Sequence, residues 1–431
     1  DAGLALFLSS LETAQLDSPR CGKTATVLGA NIVPREGSPL YGHDVPAIAD
    51  FELFEMSDGE YVAVVGIDIA RKTLQSSSPD EGTTLTDERA TASKVIHQLK
   101  RMGVERIVML THIGYGNDLE WMAQLDGVDV VVGGDSHTFL NDDGGLGTIL
   151  GETPEGPYPT IVERADGSKA CVVQAWEYSK LLGVLDVEFD EYGDLMSCMG
   201  QAILPLAKTP KVTVRDADPR FDLEDEDASL VAKYLKQVSE GAILPVLPDA
   251  TVSELLIAYD EQVDELTQQI IATVPEPLIL ERFNLDPPVP GSCDAASKGF
   301  LLRPGSQADF TIQNAGGCRT SISAGDYSIG DAYALLPFAN TMVEITMTGS
   351  QIKMVLEEAL DFFQDPGGST GAYPRASGLR YDVDITAGFG SRISNLEGNP
   401  GLNGSFIAVV VIIIIIIIIQ CGDQQFHCGR P

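Results

Sequence analysis

The sequence predicts a layered α/β protein with two globular parts and a bridging helix between them. Short apolar runs alternate with segments of helical periodicity over residues 1–205, the pattern of buried strands covered by helices. A heavily acidic stretch from Asp216 to Asp227 then leads into an amphipathic helix that Gly241 stops. A second alternation of helices and strands fills residues 246–431. Length agrees, since 431 residues make two or three domains at roughly 150 residues each.

Element by element, Thr26-Val27-Leu28 predicts a short strand, and Tyr61 to Ile69 a fully buried one. Thr86 to Met102 predicts a helix with Ala92, Val95, Ile96 and Leu99 on one face, ended by Gly103. Arg106 to Leu110 is a buried strand, Asn117 to Leu125 a helix and Val128 to Val132 another buried strand. Cys171 to Ala175 and Gly183 to Val187 are expected in a second sheet. The bridging helix carries Leu230, Val231, Tyr234, Leu235 and Val238 as its apolar positions. Thr251 to Thr273 predicts a long helix with Leu255, Leu256, Tyr259, Val263, Leu266 and Ile270 facing inward. Strands at Asp309–Gln313, Met342–Met347 and Gly378–Val383 and a helix at Ser350–Phe363 complete the second part. There is no internal repeat.

Composition excludes several classes. Hydrophobic residues are 44% and charged residues 21%, which is globular usage rather than a disordered chain or a rod. Lys and Arg number 28 against 63 Asp and Glu, a formal charge of −35. So negative a field repels nucleic-acid backbones and anionic lipid, whereas a bound divalent cation can reverse the local sign for a small anionic substrate. Seven cysteines with no CxxC pair argue against a zinc ribbon, and one or two disulfides are open if the protein is secreted. Phe406 to Ile419 is an apolar run of fourteen residues closing on eight isoleucines, short of the about 20 that a membrane helix needs. Damaged sequence is the first explanation of that run, a buried strand the second and a membrane anchor the third.

Two constellations carry chemistry. His112 follows one buried strand, and Gly133-Gly134-Asp135-Ser136-His137 follows another. Ligands of open α/β sheets bind at the carboxyl ends of strands, so imidazole, carboxylate and imidazole arrive at one edge as ligands for a first-row metal. The alternative is a pair of loop histidines in ordinary hydrogen bonds. The second constellation is Asn314-Ala315-Gly316-Gly317-Cys318-Arg319, a Gly-rich turn whose backbone N–H groups and following Arg suit a phosphate or carboxylate. A plain turn with a surface Arg is its alternative. Phe338, after Pro337, is either a platform for a base or a core residue. No nucleophile elbow and no GxxxxGK[ST] loop occurs in the chain.

Together these blocks resemble one family. THIGYGNDLEWMAQLDGVDVVVGGDSHTFL resembles the later metal-ligand block of metallophosphoesterases of the 5'-nucleotidase type. NAGGCRTSISAGDYSIGDAYALLPFANTMVEITMTGSQIKMVLEEAL and GSTGAYPRASGLRYDVD resemble that family's C-terminal, substrate-binding domain. The resemblance runs from Asp1 to about Gly401. It implies a metallophosphoesterase-type β-sandwich flanked by helices over 1–205, an acidic segment and bridging helix over 206–245, and an α/β substrate-binding domain over 246–431, with a doubtful tail from 402.

The resemblance also implies an activity. Family members hold two divalent ions (Zn, Mn, Mg or Ca) that clamp a phosphate and activate a water. Carried over by position, His112 and Asp135 would ligate one ion and His137 the other; Asp135 stands where His is commoner. Asn314, Gly316, Gly317 and Arg319 would contact the substrate, and Phe338 would stack on the base. The expected reaction takes a nucleoside 5'-monophosphate to nucleoside and phosphate, with 2',3'-cyclic nucleotides and UDP-sugars as further candidates. The expected location is periplasmic, cell-surface or extracellular, with a signal peptide upstream, no nucleic-acid partner and no membrane span. The family opens with an Asp-x-His strand, a bridging Asp and a Gly-Asn-His motif that carries the catalytic His. Asp1-Ala2-Gly3-Leu4 resembles the stretch immediately after that last motif. Around Pro290-Gly291-Ser292-Cys293 a deletion is expected where the family carries a further substrate-contacting segment, and the isoleucine tract and tail stand where the family has its second stacking aromatic. The other expectation is therefore a fragment without catalysis that retains nucleotide binding.

Overall fold

The computed structural model describes residues 25–42, 48–76, 79–142, 145–207, 225–277, 309–338, 341–364 and 370–398, with short pieces at 4–5, 7–9, 211–212, 221–222, 407–408 and 413–419. The chain divides into two compact units, Asp1–Ala250 and Thr251–Pro431.

The first unit is built on a six-stranded sheet. Its strands are β2 (Phe51–Glu55), β3 (Tyr61–Asp68), β5 (Arg106–His112), β6 (Val130–Val132), β7 (Thr160–Glu163) and β8 (Lys169–Val173), in the order β2-β3-β5-β6-β8-β7. The central strands β3, β5, β6 and β8 run parallel, while β2 and β7 close the edges antiparallel. β6 and β8 are mostly buried, as their apolar runs predict, whereas β5 alternates buried Ile107 and Met109 with half-buried Val108 and exposed Leu110. Helix α1 (Ala70–Ser76) follows β3. Helix α2 (Glu88–Arg101) starts at Asp87, whose carboxylate accepts from Ala90 N at 2.7 Å. Its predicted stripe of Ala92, Val95, Ile96 and Leu99 is fully buried, and each of its larger side chains contributes roughly 1.5–3 kcal/mol. A short ladder joins β1 (Ile32–Pro34) to β4 (Thr83–Leu85).

A separate three-stranded sheet pairs β9 (Leu182–Phe189) and β10 (Leu195–Ala207) with the strand Ile243–Val246. Ala202 and Ile243 from this sheet join Val65, Ile107, Met109 and Val172 of the large sheet in one core, so the two sheets pack as layers. A disulfide between Cys171 on β8 and Cys198 on β10 staples them.

Several expectations are corrected. Leu28 makes a single bridge to Ala49 instead of lying in a strand. The segment from Cys171 belongs to the first sheet, not a second. The expected helix from Asn117 is a short turn, Tyr115–Asn117, running into a π-helical turn, Asp118–Met122. Helix α3 (Asp225–Val238) buries Ala228 and Ala232, and leaves Leu230 and Tyr234 exposed. Residues 216–220 and 223–224 of the acidic stretch lie outside the described residues.

In the second unit, helix α4 (Ala250–Thr267) ends before a strand, Ile270–Val274, that apolar periodicity alone does not separate from it. Leu255, Leu256, Tyr259, Val263 and Ile270, expected inward, are exposed; amphipathic spacing marks an apolar face but not what covers it. Strand Phe310–Asn314 is the buried centre of a four-stranded sheet, paired with Pro374–Ser377 on one side. On its other side lies Ile413–Ile419, parallel to it and antiparallel to Thr341–Met347. The isoleucine run thus contains a strand, Ile413–Ile419. Helix α5 (Ile329–Leu335) begins with a capping box between Ser328 and Asp331. Helix α6 (Gly349–Gln364) packs Ile352, Leu356 and Leu360 against Phe310, Leu379 and Ile393. No helix among the described residues is long and apolar enough to cross a membrane.

Candidate functional site

The four parallel strands of the first unit deliver their carboxyl ends side by side, so chemistry collects along that edge. His112 is the last residue of β5, exposed, and its register partner on β3 is Asp68. Asp135 lies three residues beyond β6. Its φ of 72° and the φ of 55° at His137 place both in the left-handed region, which turns the chain sharply enough to present both side chains near the strand end.

A polar network holds that turn. Gln174, buried just beyond β8, accepts from Thr138 N and donates to Gly134 O at 3.2 Å. Ser136 Oγ lies 2.7 Å from Thr138 Oγ1 and accepts from Tyr115 N at 3.0 Å. One amide thus spans the turn from Gly134 to Thr138, which leaves the left-handed residues little freedom. Beneath it, the wholly buried Asp118 accepts from Thr111 Oγ1 at 2.7 Å, and its Oδ2 has no hydrogen-bond partner among the described residues. Burial first, with the Asp135 charge adding to it and Thr111 opposing, pushes the Asp118 carboxyl up to about 7. A Cβ on Gly133 would overlap Asp118 Oδ2, so glycine there lets the turn sit directly on this carboxyl.

The structure brings two of the three expected ligands together. His112 Nε2 lies 3.7 Å from Asp135 Oδ1. Gly134 leaves room beside them, since a Cβ there would stand 2.8 Å from His112 Nδ1. His137 is engaged elsewhere: its Nδ1 is 3.5 Å from Glu177 Oε2, and its ring lies 5.2 Å from that of Tyr178. Lys72, from the first turn of α1, donates to Asp135 Oδ1. Imidazole and carboxylate at a glycine-lined edge are the donor chemistry of a divalent-cation site, so the residues fit such an ion as a partial set. No group of three or more His, Cys, Asp or Glu converges among the described residues. Sequence patterning does not single out Lys72, Asp118, Gln174 or Glu177, although each follows a strand end of the same sheet by a few residues.

In the second unit Asn314 ends its strand and Ala315–Gly317 makes one 3-10 turn. Asn314 Nδ2 donates to Gly371 O at 3.3 Å, tying the turn to a neighbouring loop. A Cβ on Gly316 would stand 3.1 Å from Gly371 Cα, so two backbones pass closely there. Arg319 places its guanidinium carbon 5.3 Å from the centroid of the half-buried Phe338 ring, within cation–π range. These two residues, nineteen apart in sequence, therefore form one surface.

Known proteins share both parts. The family model of the 5'-nucleotidase C-terminal domain matches residues 292–405. A probable 5'-nucleotidase of Treponema pallidum is 32% identical over 376 residues, 83% of this chain and 60% of that protein. The NAD 5'-nucleotidase of Haemophilus influenzae is 31% identical over 380 residues, 86% of this chain and 61% of that protein. Over most of its length the chain is similar to 5'-nucleotidases. Among solved structures, the 5'-nucleotidase precursor of Thermus thermophilus superposes with a TM-score of 0.71 at 29% identity, covering 92% of this chain and 69% of that one. The NAD nucleotidase of Haemophilus influenzae superposes with a TM-score of 0.53 at 28% identity, covering 91% and 69%. The fold is therefore that of the 5'-nucleotidases, and the chain spans about three fifths of the length of the curated relatives it matches.

Proposed function

We propose that this chain contributes the later metal-binding edge and the nucleotide pocket of a secreted 5'-nucleotidase-type phosphoester hydrolase. Residues 1–205 form the metallophosphoesterase domain in this reading, 206–245 the bridge and 246–431 the substrate domain. The observation that carries it is the pairing of His112 with Asp135 at the carboxyl edge of adjacent parallel strands. His112 and Asp135 would hold one divalent ion there, and His137, set against Glu177, would belong to the other. Such an ion supplies charge stabilisation on phosphate and an activated water. The chain's own part is to orient the donors through Gln174 and the Gly133-Gly134 turn. Asn314, Gly316, Gly317 and Arg319 bind the nucleotide's polar groups, and Phe338 stacks on the base. Substrates are nucleoside 5'-monophosphates, with 2',3'-cyclic nucleotides, UDP-sugars and, from the name of the Haemophilus influenzae relative, NAD as candidates. The Cys171–Cys198 disulfide supports an oxidising, extracytoplasmic location.

A second reading concerns the 431-residue polypeptide by itself: it binds nucleotide without appreciable turnover. The partial donor set among the described residues favours it. The test is calorimetry and phosphate release with AMP and Mn²⁺. The polypeptide is expected to bind AMP, and Phe338→Ala to weaken binding by about 1–3 kcal/mol, the worth of one stacked base. Absence of binding at millimolar AMP, or binding indifferent to Phe338→Ala and Arg319→Ala, contradicts the pocket. Turnover of about 1–10³ s⁻¹ contradicts the second reading alone.

A further inference from the structure

Asp135 already holds a cation. Its carboxylate is only 11% exposed, and so enclosed a charge is costly without a partner. The partner is the Lys72 ammonium, 24% exposed, which donates to Oδ1. That is the same oxygen that lies 3.7 Å from His112 Nε2. Lys72 arrives there because α1 begins two residues after β3, whose last residue, Asp68, pairs in register with His112. Asp68 itself accepts from Thr73 Oγ1 at 2.7 Å.

A divalent ion bonded to His112 Nε2 and Asp135 Oδ1 would meet this ammonium at close range, and like charges within about 4 Å repel strongly in a partly dry site. A lysine stem is flexible enough to carry its charge away. We propose that Lys72 is a built-in counter-cation that holds Asp135 in place, and that cation binding at the His112–Asp135 pair proceeds by exchange with its ammonium. The proposal rests on the reading of this edge as a cation site.

The test is titration calorimetry of Co²⁺ into the full chain at fixed pH and ionic strength, with far-ultraviolet circular dichroism confirming each fold. The neutral variants Lys72→Met and Lys72→Gln are compared with Lys72→Arg, which keeps the charge, and with His112→Ala. Both neutral variants are expected to bind Co²⁺ at least about tenfold more tightly than the wild type, and the arginine variant to stay within about threefold. Either neutral variant suffices if the other does not fold. Unchanged or weaker affinity in the neutral variants, with binding lost in His112→Ala, overturns the exchange and leaves the cation site standing. Equal tightening by Lys72→Arg also overturns it, because charge is then not the cause. If neither wild type nor neutral variants bind Co²⁺, the cation site falls, and the exchange with it.

Discussion

Single residues set the pH response of the first unit's fold. Asp129 shows how a buried carboxyl writes a pH dependence into the fold. It is 7% exposed and accepts from Ile107 N at 2.8 Å. Burial is the main cause that pushes it up to about 7, with the Ile107 amide and the Arg164 charge opposing. A carboxyl raised above its unfolded value of about 3.9 binds more protons folded than unfolded between those values. Its contribution to stability is therefore fully present below about pH 4 and lost as pH rises towards 7, at most about 4 kcal/mol in total. Asn at this position keeps an acceptor for Ile107 and removes the charge. Urea denaturation at pH 5 and pH 8 is expected to show a smaller loss on raising pH in Asp129→Asn than in wild type. Parallel slopes in the two proteins would show that Asp129 titrates as an ordinary carboxylate.

At the scale of elements, strand ends carry the function. The turn after β6 works because two glycines let it lie on Asp118 and beside His112. In Gly134→Ala the new methyl must displace the His112 ring, and the expected cost is about tenfold in cation affinity (about 1.4 kcal/mol) with the fold retained. Affinity equal to wild type would separate His112 from the site. The edge is legible in the sequence through buried β5 and β6 and the residues after them, because continuous apolar runs locate parallel strands and strand ends locate ligands. That His137 faces Glu177 is not legible, since a left-handed backbone at His137 aims the side chain in a way spacing does not encode. Lys72 is equally hidden: a lysine in a first helical turn is commonplace until the register of β3 against β5 brings it to Asp135. In the second unit the helices and strands are legible but the α4–strand boundary is not, because Gln268-Gln269 interrupts the pattern without a Gly or Pro. Arg319 and Phe338 are legible as separate candidates, while their contact depends on helix α5 and its flanking turns, between them.

At the scale of the whole molecule, two units each carry their own core and one candidate site. In the first, the Cys171–Cys198 staple joins the two packed sheets, closing a loop with a sequence separation of 27. Opening it in Cys198→Ser is expected to lower the stability of that unit by about 2–4 kcal/mol, read as a lower denaturation midpoint that added reductant does not lower further. A midpoint equal to that of oxidised wild type would show that packing alone holds the sheets together. The central claim is that the carboxyl edge of the large sheet is a cation site for phosphoester chemistry. Its most direct test is an anomalous difference map from crystals of the full chain grown with Mn²⁺. The expected map has a peak bonded to His112 Nε2 and Asp135 Oδ1, with the Lys72 ammonium moved off that oxygen; a map with no peak at this edge, and Lys72 still on Asp135, would contradict the claim.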